Sequence, residues 1–68
     1  MEKLNLGEAL KEHRKSRGLT QVELSRQTGI SQQNVSRWEK NTHTPDVISC
    51  LTLAKFYGIT IEELIGED

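Results

Sequence analysis

Sixty-eight residues, 28% of them charged and one of them cysteine, describe a single small domain over residues 1–68, near the lower size limit for a core without staples. Cys50 alone excludes an internal disulfide, and two histidines distant from it lack metal-ligand spacing, so no metal and no cofactor are expected. The net charge of −1 weighs mildly against a nucleic-acid partner, while the lack of any run near 18 apolar residues and of an apolar signal core in Met1–Leu10 excludes the membrane and favours a reducing, cytoplasmic setting.

Asn5 can cap a first helix over residues 6–16 (α1), with Glu8 placed as in a capping box and Leu6 and Leu10 at helical spacing. Arg14 and Lys15 suit its last turn, Gly18 its end, and Leu19 then drops into the core. Thr20 and Glu23 make a second capping box for a short helix over 21–28 (α2), which offers Val22, Leu24 and Ser25 for packing. Gly29-Ile30-Ser31 forms a turn, Ile30 buried and Ser31 capping a helix over 32–40 (α3).

Along α3, Gln32, Gln33, Ser36 and Arg37 share one face while Val35 and Trp38 point away as a core anchor. Amide and guanidinium groups on one shelf can bond base edges in bidentate pairs. Taken alone, such a face reads as an ordinary solvated one. After a polar loop, Thr44 as cap and Pro45 as first residue open a helix over 45–57 (α4). Its core stripe is Val47, Cys50, Leu51, Ala54 and Tyr57, with Cys50 acting as a small hydrophobe. A second stripe, Ile48, Thr52 and Phe56, lies roughly opposite. Thr60 caps a last helix over 61–65 (α5), acidic in its first turn. No strand pattern appears, so the fold class is all-α, a compact bundle of five short helices.

The pattern Leu6-Gly7, Leu10, Arg14, Gly18-Leu19-Thr20-Gln21, Glu23-Leu24, Gly29-Ile30-Ser31, Val35-Ser36-Arg37-Trp38-Glu39, Pro45, Leu51, Leu53-Ala54 and Gly58-Ile59 resembles the Cro/phage-repressor helix-turn-helix family, also called the xenobiotic-response-element family. The likeness spans about residues 6–65 and includes the flanking helices, which a bare helix-turn-helix match does not. It implies a lambda-repressor-like fold in which α2 and α3 form the helix-turn-helix. It also implies base contacts from Gln32, Gln33, Ser36 and Arg37, and DNA-backbone contacts from Thr20, Gln21, Ser31, Asn34, Lys40, Asn41 and Thr42. Arg14 and Glu39 match a pair that forms a salt bridge in relatives. Departures are Ser25 for a usual alanine, polar His13 and Thr28 at commonly apolar positions, and Asn41 where glycine is frequent.

Charge is divided along the chain. Residues 1–44 carry eight basic and five acidic groups, net +3, and residues 45–68 come to −4, compatible with one cationic face toward DNA. The resulting expectation is a sequence-specific double-stranded-DNA-binding regulator, a repressor acting as a homodimer on a near-palindromic operator. The alternative is an antitoxin-like module that binds a partner protein and autoregulates through DNA. Ile48 and Phe56, or Ile61 and Ile65, are the candidate dimer or partner surfaces. No nucleophile–base constellation, phosphate loop or ligand cluster points to an enzyme or to a small-molecule substrate.

Overall fold

Each helix starts on a side chain that accepts a hydrogen bond from the backbone N–H three residues on: Asn5 from Glu8, Thr20 from Glu23, Ser31 from Asn34, Asp46 from Ser49 and Thr60 from Glu63. These bonds satisfy donors that a helix leaves orphaned at its N-terminus. At Thr20 and Thr60 the box is closed, with the glutamate side chain accepting from the cap's own N–H at 2.8 Å and 2.9 Å. The computed structural model describes residues 5–66, so Glu2, Lys3, Glu67 and Asp68 of the charge division lie outside the described residues. Within them the elements are α1 Leu6–Ser16, α2 Gln21–Thr28, α3 Gln32–Glu39, α4 Val47–Tyr57 and α5 Ile61–Ile65, with no strand among the described residues.

α4 begins two residues later than Thr44-Pro45 suggested. Asp46, not Thr44, is the cap, because a carboxylate both accepts the Ser49 N–H and complements the positive end of the helix dipole. Pro45 is left ahead of the cap, half-buried. The turn between α2 and α3 behaves as the sequence implies. Gly29 adopts φ +79° and returns its N–H to the Ser25 carbonyl at 2.8 Å. Thr28 helps to close it, donating to the Leu24 carbonyl at 2.7 Å and accepting from the Ile30 N–H at 3.2 Å, which gives a polar residue a task at that site.

The core is Leu10 from α1, Leu24 from α2, Val35 and Trp38 from α3, Leu53 and Ala54 from α4, and Leu64 from α5. Leu6, Leu19, Ile30, Cys50, Tyr57, Ile59 and Ile61 pack around it. One part of the expected core is overturned. Val47 and Leu51 are 73% and 41% exposed, and share the outside of α4 with Ile48 at 68% and Phe56 at 37%. α4 is apolar almost all round, so its residue spacing fits two phases. Packing against α2 and α5 selects the one that buries Leu53. Val22 of α2, also offered for packing, is exposed.

His13, polar where an apolar residue is common, still packs against the fold. Its ring stacks on Tyr57 with centroids 5.8 Å apart, and Nε2 lies 2.8 Å from the Glu63 carbonyl oxygen, tying α1 to α5. The Arg17 guanidinium covers the same Tyr57 ring at 4.2 Å.

Candidate nucleic-acid interface

The buried faces of α3 fix where its polar face can point. Val35 and Trp38 are locked in the core, so Gln32, Gln33 and Arg37 are turned outward and exposed, with Ser36 half-buried between them. Across from them stands Gln21 at the first position of α2. Gln21, Gln32, Gln33, Ser36, Arg37 and Lys40 together line one open groove. All four residues expected to meet bases are therefore brought together, with two of those expected to meet the backbone. The charged side chains lining the groove are Arg37 and Lys40, both cationic.

A buried network holds the two walls in register. Arg14 clasps Glu39 with both prongs, Nε to Oε2 at 2.7 Å and Nη2 to Oε1 at 2.9 Å. Its third donor, Nη1, reaches the Leu19 carbonyl at 2.7 Å, just ahead of the α2 cap. Gln21 completes the set by donating Nε2–H to Glu39 Oε1 at 3.0 Å. One ion pair thus joins α1, the loop into α2, the start of α2 and the end of α3. Burial works against the charged form of Glu39, but the bonds from Arg14 and Gln21 prevail and hold its carboxyl below the usual carboxylate range. The same bond, donated to Glu39 and set against burial, pushes the Arg14 guanidinium above its ordinary value.

A family model described as "Helix-turn-helix" matches residues 10–64. The chain belongs to the helix-turn-helix family. Among its relatives, the HTH-type transcriptional regulator ImmR of Bacillus subtilis is 34% identical over 65 residues, covering 96% of this chain and 51% of ImmR. The immunity repressor protein of Bacillus phage phi105 is 28% identical over 96% of this chain and 45% of its own length. Antitoxin PezA of Streptococcus pneumoniae is 30% identical over 93% of this chain and 40% of its own length. The chain therefore spans about half of these relatives or less. No solved structure gives a significant match.

In this helix-turn-helix chain the residues expected to meet the DNA backbone, Gln21 aside, are placed unequally. Lys40 is exposed as the C-cap of α3. Thr20 and Ser31 are exposed, their hydroxyls occupied as caps, and Asn34 is exposed beside them. Asn41 sits at φ +63°, as its tolerance of the left-handed region suggested. Its side chain is already engaged, accepting from the Gly7 N–H and donating to Asn5 Oδ1, both at 3.0 Å. The Thr42 hydroxyl donates to the Arg37 carbonyl at 3.0 Å. Ile61, one of the rival dimer residues on α5, packs against the core, and Ile65 is half-buried.

Two features escaped the residue patterns. Gly7 is buried where α1 meets the end of α3, and a Cβ there would lie 2.7 Å from Asn41 Nδ2, Glu39 O and Trp38 O. A glycine inside a helix with no turn to make is the signal for such an approach. The Gln21–Glu39 bond joins residues 18 apart, and no local spacing announces it.

Proposed function

We propose that this chain is a sequence-specific double-stranded-DNA-binding transcriptional regulator, a repressor acting as a homodimer on a near-palindromic operator. One observation carries the reading. In a chain of net charge −1, the charges lining the groove between α2 and α3 are cationic, and the rest of its lining is amide and hydroxyl. α3 enters the major groove, where a Gln amide pairs with adenine or an Arg guanidinium with guanine, each worth about 1–3 kcal/mol of discrimination. α2 crosses the backbone with its N-terminus toward a phosphate. Gln21 keeps one Nε2–H on Glu39, leaving the other for the same phosphate. Lys40 supplies a second, cationic backbone contact at the far end of α3. A domain that occupies its operator represses by exclusion. The family match and the phage immunity repressor relative support this reading.

Gln33→Ala tests it. Fluorescence anisotropy on duplexes differing at single base pairs should show preference relaxed at one position in each half-site, with the fold intact by circular dichroism. An equal loss of affinity on every sequence would remove Gln33 as a base reader.

The antitoxin-like reading is favoured by one relative, PezA, and by the open apolar face of α4. It predicts a stable complex with the product of an adjacent gene on co-expression, and autoregulation of that gene pair.

A further inference from the structure

We infer that Asn41 is a positioning residue. It clasps the loop after α3 to the start of α1 and so holds Lys40 ready for a DNA phosphate, without touching the DNA itself. The inference rests on the proposed function, which gives Lys40 its backbone contact, and it moves Asn41 from contact to support.

The first N–H groups of α1 have no partner within the helix. Gly7 and Glu8 are its second and third residues. The Glu8 N–H donates to the cap, Asn5 Oδ1, and the Gly7 N–H donates to Asn41 Oδ1, 34 residues away in sequence, both at 3.0 Å. Backbone N–H groups can only donate, so both amide oxygens are fixed as acceptors. Asn41 Nδ2 then donates to Asn5 Oδ1 at 3.0 Å, and two asparagines share one cap. The fit is close, since a Cβ on Gly7 would lie 2.7 Å from Asn41 Nδ2. Glycine would adopt the φ of +63° at position 41 without strain, so what asparagine adds there is this side chain.

The consequence falls on Lys40. Glu39 before it is held by Arg14 of α1, and Asn41 after it is held by Gly7 and Asn5 at the start of the same helix. The backbone N–H groups of Lys40, Asn41 and Thr42 return to the carbonyls of Ser36, Trp38 and Arg37 at 3.1, 3.0 and 3.0 Å, and so are already used. The Lys40 side chain stays exposed at the edge of the groove. A cation whose backbone is fixed on both sides loses less freedom when it binds. Asn41 keeps one Nδ2–H free, so its rival role is a direct bond to phosphate.

Salt dependence separates the two roles, because a lysine on a phosphate releases counterions and a neutral amide does not. Fluorescence anisotropy measures affinity across salt concentrations for wild type, Asn41→Gly, Lys40→Ala and the double variant, on a duplex recovered from a randomised DNA pool. Asn41→Gly should weaken binding about three- to tenfold. It should also flatten the salt slope in the same sense as Lys40→Ala, and have no further effect in the Lys40→Ala background. An unchanged affinity overturns the positioning role. So does a loss that keeps the full salt slope and adds to that of Lys40→Ala, which is the signature of direct contact. Amide exchange of the wild type reads the clasp without any substitution. The Gly7 N–H should exchange at least about tenfold more slowly than in the unfolded chain, and exchange at the unfolded rate overturns the clasp. A wild type that enriches no duplex overturns the proposed function, and a Lys40→Ala variant that binds as tightly as wild type overturns its Lys40 contact; either result takes the positioning role with it.

Discussion

At the scale of single residues, the arrangement turns on Glu39, the acceptor shared by Arg14 and Gln21. Arg14 and Glu39 are both buried, and removing one partner strands the other charge away from water. Arg14→Met should therefore lower stability by about 3 kcal/mol, the low end of the range for such pairs, since water is never far away in a chain this small. Urea denaturation followed by tryptophan fluorescence measures it, and a loss under about 1 kcal/mol would show that Glu39 finds other partners. The acid response follows from the same bond. Glu39 is held below its ordinary range in the folded state, so on acidification the unfolded chain takes up that proton first. The stability it contributes is full above about pH 5, and is lost as pH falls through the folded value. Glu23, Asp46 and Glu63, lowered by their cap bonds with Thr20, Ser49 and Thr60, act in the same direction. The urea midpoint should drop steadily from pH 5 to pH 3, and less so in Glu39→Gln; a midpoint that rises over that interval contradicts the assignment.

At the scale of elements, the place where α1 crosses the end of α3 is set by a missing side chain. Gly7→Ala gains about 1 kcal/mol of helix propensity, yet drives a Cβ to 2.7 Å from two backbone carbonyls that cannot rotate away. The net expectation is destabilisation by about 2 kcal/mol, read from thermal unfolding, with a stabilised variant as the contrary result. Elements differ in how legible they were. Thr20, Ser31 and Thr60 announce their helices because capping chemistry is complete within three residues of sequence. The phase of α4 is not local. With apolar residues on both of its arcs, only the neighbouring α2 and α5 decide that Leu53 is buried and Val47 is not. The Arg14–Glu39 pair, 25 residues apart, was expected through family resemblance and not from spacing. The Gln21–Glu39 bond had neither source.

At the scale of the whole molecule, charge separation matters more than net charge. Only Arg37 and Lys40 bring charge to the groove, and the other proposed backbone contacts are amides, hydroxyls and a helix terminus. Few counterions are then released on binding. The logarithm of affinity should fall with the logarithm of salt concentration with a slope of roughly −2 to −4 per dimer, shallow beside the −10 of a strongly cationic binder. A slope near −8 would mean that cations outside the groove carry the backbone contacts.

Under the proposed function, α3 reads base pairs while α2 and Lys40 hold it in register. Selection on randomised duplex DNA with the wild-type chain and with Gln33→Ala tests this most directly. The wild type should enrich two inverted half-sites with centres about 34–36 Å apart, one helical turn, and Gln33→Ala should lose preference at one symmetry-related position while keeping the spacing. Enrichment of no sequence by the wild type, or an identical enriched site from both proteins, would contradict it.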